Sequence, residues 1–356
     1  MGGNALSCVS IRLTKRNADR LAHECVQKLQ SLYPGRRVTY LTSYRSKAEA
    51  GDADILVEGH EGYDPDVAAQ ALGAVEVVRN GPVTSIGVLA RPEEPFIDGN
   101  VFQVDLVKIP SEAFDYACGY FMWSDLGNLV GRIAHAMGVA HKHDGLYFYF
   151  RDPESPDYRF RDILLTHNHD QALRFLGYDP ARFNQGFDTL EDIFEFAASS
   201  CFFAPAIYLL ENRNARARVR DRKRPAYTGF LQWCADRPQL PAFEFPADKA
   251  AWHARLVEFF PHFQRDFEAA NTALDRQKAV AAKFNGAWVS QLTGLQGKAL
   301  GAVMRRFKES FASVEAQRSF VLASSLEDLE ARVRQAQAEA FDTPGEGAET
   351  GEVWPH

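Results

Sequence analysis

Two short apolar runs carrying acids at alternating positions constrain this chain more than any other feature. The first is Asp52–Glu58, DADILVE, in which Asp52 and Asp54 stand at i, i+2 and lead into Ile55, Leu56 and Val57. The second, at 102–109, reads FQVDLVKI, with Asp105 between Val104 and Leu106. Successive side chains of a strand point to opposite faces, so Asp52 and Asp54 share one face. Asp105 joins them if the two runs are neighbouring strands. Three carboxylates on one sheet face repel unless divalent cations neutralise them, and hard oxygen ligands suit Mg²⁺. That is the outline of a two-metal phosphoryl-transfer site.

The order of elements around these runs suggests a mixed α+β sheet backed by helices. Helical periodicity covers 17–32, with Asn17 or Asp19 as its cap, and strands follow at 38–44 and 52–58. A short helix at 65–72 starts with Asp64 as cap and Pro65 at its first position. β-rich stretches at 74–78 and 83–89, a Pro-containing loop at 91–99 and the Asp105 strand at 101–109 complete the first segment. Next come a helix at 126–137 capped by Asp125 and a hairpin of 145–150 with 158–165 around PESPD. Helices capped near 166–170 and by Asp188 or Thr189 follow. Beyond Pro241 the periodicity is helical at 248–260, 264–284, 295–313 and 326–339. Soft boundaries near Phe150 and Phe245-Pro246 divide the chain into a catalytic domain (1–150), a mixed connector (151–245) and a helical domain (246–341). A Gly-, Glu- and Pro-rich tail at 342–356 is expected to be disordered.

A net charge of −7 argues against a non-specific nucleic-acid coat but leaves room for a local basic patch. The five cysteines are odd in number, widely spaced and without a CxxC pair, which suggests reduced thiols and a cytoplasmic protein. No run approaches the length of a membrane span, so no membrane association is expected.

On Leu41-Thr42-Ser43, Gly51-Asp52-Ala53-Asp54 and Asp105, the chain resembles the DNA polymerase β-like nucleotidyltransferase superfamily. That pattern is an apolar residue, Gly, Ser or Gly, about ten residues, Asp-x-Asp, and a third Asp on a later strand; Thr42 here takes the place of its Gly. The resemblance implies a polymerase β-like sheet with flanking helices and transfer of an NMP from an NTP such as ATP to an acceptor hydroxyl, releasing pyrophosphate. It implies two Mg²⁺ ions (or Mn²⁺) on Asp52, Asp54 and Asp105, with Asp105 nearest the acceptor and able to take its proton. Thr42 and Ser43 would then meet the triphosphate, Ser43 through its hydroxyl or amide. Arg45 and Lys47 in the following loop are phosphate partners by charge, or else solvated loop cations. Asn128 and Arg132, four apart on one helical face, could reach the sugar or phosphates, or could simply lie on a helix packed closely through Gly127 and Gly131.

Basic residues concentrate once. Arg213, Arg216, Arg218, Arg220, Arg222, Lys223 and Arg224 put seven cations in twelve residues, against 40 in 356 overall, and Asp221 is the sole acid among them. This favours contact with a polyanion, nucleic acid and foremost RNA, over a salt-bridged helix face; Tyr227, Phe230 and Trp233 add stacking surfaces. Residues 283–307 also loosely resemble a segment of tRNA nucleotidyltransferases and poly(A) polymerases, on Asn285-Gly286, Gly294-Leu295-Gln296-Gly297 and Gly301. The pairs His141/His143 and His167/His169, each followed by an Asp, read as caps or solvated loops rather than zinc ligands. The expectation is therefore a Mg²⁺-dependent nucleotidyltransferase with a nucleic-acid acceptor and no obligate protein partner. NMP transfer to a protein or small molecule, and non-catalytic nucleotide or nucleic-acid binding, are its rivals.

Overall fold

The two acid-bearing runs form adjacent central strands of a five-stranded sheet in a computed structural model that describes residues 3–59, 62–90 and 100–341. In chain order the strands are β1 (Leu13–Thr14), β2 (Val38–Tyr40), β3 (Glu49–Ala50), β4 (Asp52–Glu58), β5 (Glu76–Asn80), β6 (Val83–Leu89), β7 (Val101–Ile109), β8 (Val139–Lys142), β9 (Gly145–Asp152) and β10 (Ser155–Thr166). The main sheet has the order β2-β4-β7-β6-β5, with β4 and β7 parallel and the other neighbours antiparallel. A three-stranded antiparallel sheet, β10-β9-β8, and the short pair β1-β3 complete the strands among the described residues. The architecture is α+β.

The two faces of β4 and β7 divide by alternation. Ala53, Ile55 and Val57, with Val104 and Leu106, join a core with Leu21, Ala22, Cys25, Val26 and Leu29 of helix α1 (Lys15–Leu32) and with Ala68 and Ala69 of α2 (Pro65–Ala71). Each large aliphatic side chain fully buried there stabilises the fold by roughly 1.5–3 kcal/mol. On the opposite face Leu56, Val107 and Ile109 pack with Leu41 and with Phe114 and Ala117 of α3 (Phe114–Phe121). The beginning of that same face carries the acids, so α3 packs on its apolar end while the acids stand at the other.

Beyond the sheet come α4 (Leu126–Ala136), α5 (His169–Phe175), α6 (Pro180–Gln185), α7 (Leu190–Ala198), α8 (Ala215–Arg222), α9 (Pro225–Ala235) and α10 (His253–Phe259). The chain divides into two compact units, Met1–Gln264 and Arg265–His356. The second is helical among its described residues: most of α11 (Phe263–Lys283), then α12 (Gly286–Thr293), α13 (Gly297–Glu309), α14 (Val314–Ala323) and α15 (Leu326–Phe341), around a core of Phe284, Val289, Val303, Phe307, Val321, Leu329 and Val333. The boundary suggested near Phe150 lies inside β9, and the one suggested near Phe245-Pro246 lies before α10.

Several local expectations need correcting. Thr14, not Asn17 or Asp19, caps α1, accepting from the Asn17 amide, because Asp19 instead binds Lys15 and Tyr40. The strand expected over 38–44 ends at Tyr40, since the following residues turn away to line a cavity. Asp125 makes no capping bond to α4 and pairs with Arg224. β1, β3, β8, α3, α6, α8, α9, α12 and α14 had no counterpart in the reading of periodicity. The stretches expected as a loop (91–99) and a disordered tail (342–356) lie outside the described residues.

Candidate functional site

The parallel register pairs Asp54 with Asp105 and Asp52 with Gln103, which brings all four polar side chains to the beginning of one sheet face. Ser85 of β6 stands opposite Asp105 across the next ladder. The crowding registers in Asp54, whose carboxyl is pushed up to about 7 by burial and by the neighbouring charges of Asp52 and Asp105. Asp105 is also raised, by burial and then by Asp52, against bonds from Ser85 and Gln103 that favour its ionised form. Gln103 donates to both Asp105 oxygens, at 2.9 and 3.1 Å. Among the described residues no three His, Cys, Asp or Glu side chains close on a common point as a preformed metal cage.

A cavity of about 500 Å³ opens over Asp52 and Asp54. Its lining includes Thr42, Ser43 and Lys47 from the loop after β2, Phe121 at the end of α3, and Ser124 and Asp125 from the turn between α3 and α4. Arg220, Lys223 and Arg224, from the end of α8 and the residues after it, complete a cationic wall. Acids on one side and four cations around the rest give the cavity walls of opposite charge. Burial pulls the Lys47 ammonium down, while Asp52 and Asp54 act to keep it charged.

The loop that delivers these groups is built by specific contacts. Leu41 extends the β2–β4 pairing by donating to the Asp54 carbonyl at 3.0 Å, and the Thr42 carbonyl accepts from the Trp123 amide at 3.1 Å. Trp123 and Ser124 have φ of 64° and 65°, a left-handed conformation in two consecutive non-glycine residues. Such backbone costs on the order of 1 kcal/mol or more per residue and marks sites where geometry is imposed by the surroundings. Here it holds Ser124 at the cavity.

Behind the cationic wall, Asp221 has 0% exposure and binds Arg213 at 2.7 Å and Arg220 at 2.9 Å. Burial opposes its charge, but the two guanidinium groups more than offset this and hold the carboxyl below its usual range. Arg220 also donates to Asn128 Oδ1 at 3.2 Å, and Arg224 pairs with Asp125. The wall is thus braced by α4 and by its own buried acid.

The expected residues fall into two groups. Thr42, Ser43, Lys47, Asp52 and Asp54 line the cavity, joined by Arg220, Lys223 and Arg224 of the basic run. Asp105 shares the sheet face but is not among the lining residues. Arg45 does not line the cavity either: its guanidinium binds Asp188 at 2.8 Å and the Gln185 carbonyl at 2.7 Å, fastening the loop that presents Lys47. Asn128 acts through Arg220. Arg132, 6% exposed, donates both Nε and Nη2 to the Ile207 carbonyl, so the helical face it shares with Asn128 turns it into the protein. Arg218 bonds the Leu210 and Arg213 carbonyls, while Arg216 and Arg222 are exposed.

His141 and His169 are not solvated caps, whereas His143 lies half-buried in the turn between β8 and β9 and His167 just before the Asn168 cap of α5. His141 is buried with Nδ1 at 2.5 Å from the Tyr116 hydroxyl, and burial lowers its pKa; burial also pushes His169, whose ring packs near His141, down to about 4. In the helical unit, Asn285 caps α12 and Gly294 ends it in the left-handed conformation, so these two residues serve helix termini.

Absent from the expected site were Tyr40, Ala50 and Ala53, which line the cavity beside the acids, and also Gln103, Phe121, Ser124 and Asp125. Gln103 was discoverable, because it lies two residues before Asp105 on the same strand face. Phe121, Ser124 and Asp125 are brought in by the end of α3 and the turn after it, which carry no sequence signature. No family model matches the chain, and no curated protein matches it.

Proposed function

We propose that this chain is a Mg²⁺-dependent nucleotidyltransferase that moves an NMP from an NTP to an acceptor hydroxyl. The observation that carries the reading is a single cavity holding Asp52 and Asp54 together with Lys47, Arg220, Lys223 and Arg224. A volume of about 500 Å³ falls in the range of small-molecule sites. The polymerase β-like fold is part of the proposal, supported by a mixed sheet in which the Asp-x-Asp strand runs parallel to the strand of the third Asp.

The donor set fits a hard divalent cation: carboxylate oxygens, with Asp54 held near neutrality by burial and two like charges, form a site short of positive charge. Mg²⁺ commonly takes one or two protein carboxylates and completes its shell with substrate phosphates and water, so a closed cage is not required. Asp52 and Asp54 would hold Mg²⁺ or Mn²⁺, two ions in the family pattern, which neutralises charge on the attacking and leaving oxygens. Arg220, Lys223 and Arg224 bind the phosphates and stabilise the departing pyrophosphate. Ser43 and Ser124 offer hydroxyls to the same groups. The acceptor oxygen attacks the α-phosphorus as the bond to the bridging oxygen breaks. Asp105, made more basic by burial, receives the acceptor's proton.

For the acceptor, nucleic acid, RNA foremost, is the leading class, supported by exposed Arg216 and Arg222 outside the cavity lining. The assignment of Arg220, Lys223 and Arg224 to the cavity reduces the surface left for a polyanion. That supports transfer to a protein or small-molecule hydroxyl as the second reading. Incubating the protein with each α-labelled NTP, Mg²⁺ and pools of RNA, DNA, protein or metabolites separates them by the species labelled. Label in no pool, and none on the protein itself, would end the enzymatic reading.

A further inference from the structure

The first described residues run across the strands of the main sheet, touching them one after another. The Gly3 amide donates to Asp52 Oδ2 on β4 at 3.1 Å, and the Ala5 amide to Gln103 Oε1 on β7 at 2.9 Å. A side chain at Gly87 on β6 would meet Leu6, and the amides of Ser7 and Cys8 donate to Glu76 on β5 at 2.7 and 3.0 Å. Four strands are met in spatial order by six residues. The segment is then closed on itself, because the Ser10 hydroxyl donates to the Gly3 carbonyl at 2.5 Å and Ile11 donates to the Val101 carbonyl.

Gly3 is irreplaceable in this arrangement. Its φ is +87°, and a Cβ there would overlap the carbonyl of Gly51, the residue before the Asp-x-Asp pair. Only glycine allows the two backbones to approach closely enough for the Gly3 amide to reach Asp52. Gln103 has a matching double role, accepting from Ala5 while donating to both oxygens of Asp105.

We infer that residues 3–8 are a positioning element of the carboxylate site, in which Gly3 orients Asp52 and Ala5, acting through Gln103, orients Asp105. The inference rests on the metal-dependent transfer proposed above. Partners that fix the orientation of metal-binding carboxylates matter nearly as much as the ligands themselves. The segment does not fill the site, since the cavity over Asp52 and Asp54 remains open with the segment in place. It therefore acts by orientation, not by blocking.

The test compares wild type, Gly3→Ala and Gln103→Met in the full chain, measuring Mn²⁺ affinity by EPR together with kcat and KM for the NTP. Gly3→Ala is expected to weaken Mn²⁺ binding about tenfold and to lower kcat by a similar factor. KM should stay within about twofold, because the cations that hold the phosphates are untouched. Gln103→Met is expected to lower kcat about tenfold with Mn²⁺ affinity nearly unchanged, since Asp52 keeps its bond to Gly3. Lower thermal stability with Mn²⁺ affinity and kcat both unchanged would reduce the segment to a structural role and overturn the inference. A rise in kcat would overturn it too, by making the segment a block. If wild type transfers nothing, the functional reading has failed and Mn²⁺ affinity decides alone: a tenfold loss in Gly3→Ala supports positioning, and no loss overturns it.

Discussion

Replacing Asp54 by Asn should change how stability depends on pH, in a direction fixed by its burial and then by the crowding of the acids. The Asp54 carboxyl rises from an ordinary 3.8 to about 7 on folding, through burial and then through Asp52 and Asp105. An acid whose pKa rises on folding binds its proton more tightly in the folded state. Its contribution is therefore complete below about pH 4 and is lost as pH climbs through about 7. At about 1.4 kcal/mol per pH unit, the interval from pH 5 to pH 8 spans roughly 2–3 kcal/mol, allowing for solvent that reaches Asp54 from the cavity. Asn at 54 cannot ionise and removes that loss, while other titrating groups are common to both proteins. Urea unfolding at pH 5 and pH 8 in chelator should show wild type losing roughly 2–3 kcal/mol relative to Asp54→Asn. Adding Mg²⁺ at pH 8 should restore much of the difference, because a cation relieves the same repulsion. Parallel pH profiles in the two proteins would refute the claim that these three acids strain one another.

Three further outcomes follow from the contacts around the cavity. Asp221→Asn leaves Arg213 and Arg220 without their buried acid and should cost about 3 kcal/mol in denaturant unfolding, with weaker NTP binding as Arg220 loses its brace. Arg132→Met should cost roughly 1.5–3 kcal/mol of stability through the lost bonds to Ile207 while leaving the NTP dissociation constant unchanged, as titration calorimetry can check. Replacing Arg216 and Arg222 by Ala should leave NTP binding intact and reduce the slope of log K against log salt for single-stranded RNA by about 1.4; an unchanged slope would return both residues to solvent.

Much of the sheet was legible because alternation and β-branched composition act locally. Residues 52–58 and 101–109 were bounded in the sequence as they are in the structure, and Asp64-Pro65 placed the start of α2. The convergence of Asp52, Asp54 and Asp105 on one face followed from period-two geometry once the strands were neighbours. The cationic wall was not legible in the same way. Seven cations in 213–224 suggested contact with a polyanion, but which of them line the cavity with the carboxylates depended on packing across more than 160 residues of chain. Arg45 and Arg132 show the opposite failure. Charge near a motif suggested ligand contact, whereas each guanidinium satisfies a backbone carbonyl instead, Gln185 for Arg45 and Ile207 for Arg132. His141 and His169 misled for a related reason, since burial against Tyr116 is a tertiary event that spacing does not encode.

The central claim is that one cavity grips an NTP between a carboxylate-bound cation and a cationic wall. Calorimetric titration with a non-hydrolysable NTP analogue tests it in four states: wild type with Mg²⁺, wild type in chelator, Asp54→Ala with Mg²⁺, and a Lys223→Ala/Arg224→Ala double variant with Mg²⁺. Binding is expected in the first state, and at least tenfold weaker binding in each of the other three. Absence of binding in the first, or equal affinity in all four, would contradict it.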